Sequence, residues 1–226
     1  MSLTARVFFI LKKLPSLALG LFLYGLAISL MITADLGVSP WTVFHMGMSN
    51  HLPITFGQAA QLTGFIILVL TCFIKVIPGI SSICNMYFVG LFVDYIMQSG
   101  ILKTPQNVIL QLGMLLLGMF VIGWASFFYL RIELGAGPRD GLMEGLVRLL
   151  KRPVGQVRTA IEVTVLVLGF IMGGQVGVGT VIASLFTGTM VQWVFRFGKY
   201  NPRDSKHMDF IKMVQFLRGS ASVDAA

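Results

Sequence analysis

The sequence predicts an all-α membrane protein: a polytopic helix bundle of about six transmembrane helices, arranged as two inverted three-helix repeats that each carry one short interfacial or re-entrant helix. Three observations point there. The mean hydropathy is +0.84 and only 12% of the 226 residues are charged, against about 25% in a soluble domain. The chain repeats itself without a gap at an offset of 98 residues. Its Lys and Arg residues are dense in some connections and absent from others, as orientation signals are.

A span needs about 20 mostly apolar residues. Such stretches fall near 14–33, 56–75, 80–98, 107–130, 154–173 and 178–196. The first follows Arg6, Lys12 and Lys13 and superficially looks like a signal peptide. Its apolar run is longer than an h-region and no small-x-small cleavage site follows, so it reads as a retained span. Two shorter segments, 40–51 and 138–150, begin at Ser39-Pro40 and Gly137-Pro138. Proline at the first helical position after Ser or Gly is a helix start. About 13 residues reach only about 20 Å at 1.5 Å per residue, short of a hydrocarbon core of about 30 Å. These are therefore read as interfacial or re-entrant helices.

The repeat carries most of the fold argument. Asp35-Leu36-Gly37-Val38-Ser39-Pro40 returns as Glu133-Leu134-Gly135-Ala136-Gly137-Pro138, and Gly57-Gln58 returns as Gly155-Gln156. Gly20, Gly25, Gly37, Gly47, Gly57 and Gly90 find partners in Gly118, Gly123, Gly135, Gly145, Gly155 and Gly188. Repeat one covers about 14–98 and repeat two about 107–196, within a single transmembrane domain of residues 1–198.

Orientation follows the positive charges. Connection 34–55 and loop 174–177 have no Lys or Arg, whereas the connection between spans four and five has Arg131, Arg139, Arg148, Lys151, Arg152 and Arg158. The tail has Arg196, Lys199, Arg203, Lys206, Lys212 and Arg218. With six spans and both termini cytoplasmic, the positive loops fall inside, Lys103 being the mild exception. Three spans per half make the second half start on the opposite side, so the halves are related by a pseudo-two-fold axis in the membrane plane.

Residues 199–226 read as a basic cytoplasmic tail with an amphipathic helix built on Met208, Phe210, Ile211, Met213, Val214, Phe216 and Leu217. Its expected seat is the anionic lipid surface, with Gly219–Ala226 loose. The formal charge of +8 does not indicate nucleic acid, because the basic residues are dispersed through loops and tails. Cys72 and Cys84 read as small buried hydrophobes. His45, His51 and His207 are too scattered for a metal site. No cofactor motif and no nucleophile–base constellation is present, so the chain is not read as an enzyme.

The halves match in glycine but not in charge. Where half two has Arg139, Asp140, Glu144, Arg158 and Glu162, half one has Trp41, Thr42, Met46, Ala60 and Gly64. Arg158 and Glu162 share one helix face at i, i+4. Glu162 lies about 13 Å along span five, near mid-bilayer, where a carboxylate costs at least about 2.5–3.5 kcal/mol unless paired or hydrated. Arg139, Asp140, Glu144, Arg158 and Glu162 are thus the candidate substrate or coupling residues. The competing reading is an ion-pair network that docks the short helix onto span five. The short-helix starts at Ser39, Pro40, Gly137 and Pro138 are second candidates, because free N–H groups there attract anions; a plain helix cap is the competing reading.

The strings Gly137-Pro138-Arg139-Asp140-Gly141-Leu142-Met143, Val157-Arg158-Thr159-Ala160-Ile161-Glu162, Gly177-Val178-Gly179-Thr180 and Leu36-Gly37-Val38-Ser39-Pro40-Trp41 resemble the bacterial YczE/YyaS/YitT family of integral membrane proteins, its YczE-like branch above all. The resemblance runs through about residue 196. Such proteins often read Pro-Trp-Asp where this chain has Pro40-Trp41-Thr42. The resemblance implies a multi-pass protein of the bacterial cytoplasmic membrane and supplies neither substrate nor catalytic residues.

Two functions remain open on the sequence. One is a small secondary transporter or exporter of an unknown small molecule or ion, with Glu162 as coupling acid, Arg158 as its partner and Arg139 as substrate anchor. The other is a membrane scaffold or regulator whose basic tail contacts a partner protein. The lipid bilayer is the expected surrounding, and a homodimer is compatible with so small a bundle.

Overall fold

A computed structural model describes residues 2–201 and 207–220, which form helices joined by short connections, with no strand among the described residues. The tail cations Arg203 and Lys206, and residues 221–226 of the expected loose end, lie outside the described residues. The helices are α1 (Leu3–Leu11), α2 (Leu14–Thr33), α3 (Pro40–His51), α4 (Phe56–Phe73), α5 (Ile80–Gln98), α6 (Val108–Leu130), α7 (Pro138–Leu150), α8 (Val154–Ile171), α9 (Val178–Phe197) and α10 (Phe210–Arg218). Six of them, with α1 running into α2, are long and apolar enough to cross a membrane. Their outward faces carry Phe65, Phe73, Ile109, Phe170, Val181 and Leu185, all exposed. Such faces require lipid contact.

The helix boundaries have local causes. Pro40 and Pro138 stand in the first turns of α3 and α7, where a missing N–H costs nothing. The Thr55 hydroxyl accepts from the Gln58 N–H at 3.1 Å and the Gln58 side chain accepts from the Thr55 N–H at 3.0 Å, a reciprocal cap that starts α4. Asp35 and Glu133, equivalent at the 98-residue offset, end α2 and α6 with the same left-handed φ of 57°. Gly37 and Gly135 follow at φ 99° and 123°. A side chain would be strained there and would also collide with the opposite half.

Contacts between the halves come in pairs that exchange partners across the offset. A side chain at Gly20 would strike the backbone of Ala125 and Tyr129, and one at Gly118 the backbone of Ala27 and the side chain of Met31. Those small residues let α2 and α6 approach closely along the bundle centre. Gly37 abuts Gly177 and Thr180, while Gly135 abuts Gly79 and Ser82. The Ser81 N–H donates to the Leu134 carbonyl at 3.1 Å, and the Gly179 N–H to the Leu36 carbonyl at 2.6 Å. Gly47 meets Met172 and Gly145 meets Ile74. In the same way α3 packs on α8 and α7 on α4.

One pair is not matched. Helices α4 and α5 cross where Gly57 and Gly90 face each other, so closely that a methyl on either would strike the other's carbonyl. Asp94 holds this seam, accepting from the Gly57 N–H at 2.8 Å and from the Thr55 hydroxyl. The equivalent glycines of half two, Gly155 and Gly188, face open space, and α8 and α9 do not pack along each other. Gln192, the counterpart of Asp94, is exposed.

The two ends of the bundle differ. One gathers the N-terminal helix, the 74–79 and 131–137 connections and the C-terminal segment: the Met208 N–H donates to the Glu133 carbonyl at 2.8 Å and the Phe210 N–H to the Pro78 carbonyl at 3.1 Å. This is the basic end. The other carries residues 34–39, 52–55 and 172–177, with Asn50 donating to the Gly173 carbonyl at 2.9 Å and Gln175 donating to Asp35.

Two readings of the sequence are modified. The apolar face of α10 does not wait for lipid; Met208, Met213 and Phe216 are buried against Leu17, Leu21, Tyr129 and Ile132 of the same chain. Burying an aromatic in a protein core leaves no reason for it to seek the headgroup region, and only Phe210 and Ile211 remain exposed. Cys72 is exposed on α4 rather than buried, and Cys84 is half-buried; both are free.

Candidate functional site

The first turn of α7 brings Arg139 into a pocket of about 50 Å³ bounded by α3, α4, α5 and α7. Its guanidinium stacks over the Trp41 ring at 4.8 Å from the centroid, a contact worth ~2 kcal/mol when desolvated. Trp41 and Arg139 are equivalent positions at the 98-residue offset. Their contact means that the two copies meet here, at the first turns of the two short helices. Trp41 is 8% exposed and held by Ile67 and Val165, so the stacked face of the guanidinium is fixed.

His45, one turn further along α3, also lines this pocket. It is 3% exposed and wedged among Trp41, Phe44 and Phe56, and its Nε2 has no hydrogen-bond partner. A buried polar atom without a partner costs ~1–3 kcal/mol and calls for an explanation. Asn85 of α5 lines the same pocket. Among the described residues no carboxylate lies within 4.0 Å of Arg139.

The other expected site residues divide. Asp140 turns back to the backbone of Gly137, the residue that caps α7. It stabilises the positive end of the helix as acids in the first turn do. Arg158 donates to Glu162 at 3.0 Å within α8. Both sit close enough to α7 for Glu162 to act on Arg139 and Arg158 on Asp140. Glu144 stands apart, 4.0 Å from Arg148, with both side chains largely exposed. Ser39 does not cap the backbone of α3; its hydroxyl bonds the Thr42 hydroxyl at 2.9 Å.

Glu144 and Arg148 line a second, larger cavity of about 280 Å³ at the basic end, which Lys75, His207, Asp209 and Lys212 also border. Burial pushes the His207 imidazole down, against an upward pull from Asp140, Glu133 and Glu144. Among the described residues only Pro138 lines both cavities, so it stands between the mouth at the basic end and the inner pocket. Among the described residues no group of His, Cys, Asp and Glu is arranged to hold a metal.

Sequence reasoning named Arg139 but missed its setting. His45 was dismissed together with the other histidines because it belongs to no metal spacing. Trp41 was noted only as the uncharged counterpart of Arg139. The signal was nevertheless present: at a two-fold-like junction, equivalent positions can touch, and Trp41 with Arg139 is such a pair.

Residues 11–196 match a family model described as a family of unknown function, DUF6198. An uncharacterized protein of Haemophilus influenzae is 30% identical over 80% of this chain and 83% of its own. The uncharacterized membrane protein YczE of Bacillus subtilis is 32% identical over 77% of this chain and 81% of its own. The uncharacterized protein YyaS of the same organism is 25% identical over 76% and 87%. No solved structure matches the chain.

Proposed function

We propose that this chain, which belongs to the DUF6198 family of unknown function, is a small secondary transporter of the bacterial cytoplasmic membrane that works by alternating access between two inverted halves. Reciprocal contacts, in which i touches j′ and i′ touches j, are the mark of a two-fold relation. With three spans in each half, the axis then lies in the membrane plane, as in known inverted-repeat transporters. The basic end faces the cytoplasm by the positive-inside rule.

The observation that carries the reading is the unequal pair of seams. Gly57 and Gly90 are locked together, whereas Gly155 and Gly188 stand in open space. Glycines spaced for a close helix crossing that meet nothing are explained by a second state in which they do meet. In that state α8 closes on α9 while α4 parts from α5, and the site at Arg139 changes the side to which it opens.

Cross-linking tests this. In a background with Cys72 and Cys84 replaced by Ser, Gly155→Cys and Gly188→Cys, both in open space here, are expected to be joined by a short bifunctional thiol reagent when α8 approaches α9, arresting flux across proteoliposomes. Failure of the Gly155–Gly188 pair to cross-link under any ligand or membrane potential would falsify the exchange. Glu162 is the coupling acid in this reading. Glu162→Gln is expected to fold and to lose at least tenfold in proton-driven flux. A variant that keeps full pH-dependent flux would assign the Arg158–Glu162 pair to packing alone.

A further inference from the structure

We propose that the pocket between α3, α4, α5 and α7 binds a planar, singly charged oxyanion, a carboxylate above all, held by Arg139 and His45. That this anion is the transported substrate rests on the proposed function, but its binding does not.

The charge is available. Every other charged group expected near the site is engaged: Asp140 with the Gly137 backbone, Glu162 with Arg158, and Glu144 towards Arg148. Arg139 stacks on the Trp41 ring and, among the described residues, has no carboxylate within 4.0 Å, Asp140 and Glu162 acting on it only from farther off. A guanidinium stacked by one face still presents its edge, and the edge is the part that grips a carboxylate through two parallel hydrogen bonds. His45, which lines the same pocket, supplies the second observation, an Nε2 that is buried and lacks a partner. A bound oxyanion would satisfy it and the guanidinium edge together, with the Asn85 amide as an additional donor.

Size and charge limit the ligand. A pocket of about 50 Å³ holds roughly four water-sized atoms at 10–15 Å³ each, the size of acetate, formate or nitrate. One arginine and a single imidazole suit one negative charge and not two. The approach suits an anion as well. Around the mouth at the basic end Lys75, Arg148 and Lys212 outnumber Glu144 and Asp209, and a cleft of one prevailing sign concentrates the opposite ion. Among the described residues, Pro138 alone is shared by the mouth and the pocket.

The test uses the full chain in lipid nanodiscs and equilibrium binding of radiolabelled acetate, with nitrate, hexanoate and sulfate as competitors. Saturable acetate binding is expected, displaced by nitrate and not by sulfate. Displacement by hexanoate at lower concentration than by unlabelled acetate identifies the carboxylate head of a longer molecule as the ligand; displacement only at higher concentration identifies a free small anion. Arg139→Gln is expected to weaken acetate binding at least tenfold, Arg139→Lys by less, and His45→Phe severalfold, with Lys103→Gln unchanged. Thermal unfolding shows whether each variant is folded, and His45→Phe serves where Arg139→Gln is not. Absence of saturable binding to the parent, equal binding by parent and both site variants, or equal displacement by sulfate overturns the proposal. Those outcomes leave the seam cross-links untouched, so the failure of this site and the failure of the transporter reading are told apart.

Discussion

Gly188→Leu is expected to fold as the parent does and to transport nothing, whereas Gly90→Leu is expected not to fold. The two positions are equivalent in the repeat, and from sequence they carry the same prediction. In the structure a Cβ at Gly90 strikes the Gly57 carbonyl, while a Cβ at Gly188 meets nothing within 4 Å. Overpacking a core costs ~1–3 kcal/mol when side chains can yield, and more is expected at Gly90 because the obstacle is backbone. Replacing a helical glycine in open space instead gains up to ~1 kcal/mol of propensity. The proposed alternating access adds a second expected consequence: leucine at 188 would block the closure of α8 on α9, leaving one state accessible. Thermal unfolding in detergent and flux in proteoliposomes read the two effects separately. A Gly188→Leu protein with parental flux would show that α8 and α9 need never meet.

Phe216→Ala is expected to cost ~3–5 kcal/mol, the range for removing a buried aromatic. Its ring is 1% exposed and lies 5.9 Å from that of Phe9, in a cluster with Leu17, Leu21 and Tyr129. Arg6 adds a tie from the N-terminus by donating to the Leu217 carbonyl at 3.3 Å. Loss of the ring should release α10, detected as a lowered unfolding temperature and rapid tryptic cleavage at Lys212. A tail that instead served a partner protein or a lipid surface through that same face would leave the isolated protein's stability unaltered by the substitution.

The contrast between these predictions marks what could be read without coordinates. Span placement was legible because the bilayer imposes one length on apolar runs, and the short helices because Pro starts them: the expected spans 14–33 and 80–98 and the short segments 40–51 and 138–150 are helices with those bounds. Arg158 and Glu162 were legible because i, i+4 geometry is local. The α10 contact was not, since an amphipathic face specifies that it will be covered and not by what. The tail is nearly 200 residues from the Leu17 it covers, and no periodicity encodes that pairing. His45 was not legible either, because a lone histidine in an apolar segment gains its meaning only from Arg139 across the helix junction.

The sequence by itself determined the apolar helices, the two short ones and the repeat, because these follow from bilayer thickness, local capping and a fixed offset. Only the tertiary structure decided which copies of the repeated glycines are used. It joined Gly57 to Gly90 and left Gly155 and Gly188 apart, and it brought Trp41 against Arg139. The physical reason is that a repeat encodes equivalent local shapes, whereas the packing of two such shapes against each other admits more than one arrangement, and the structure is one of them.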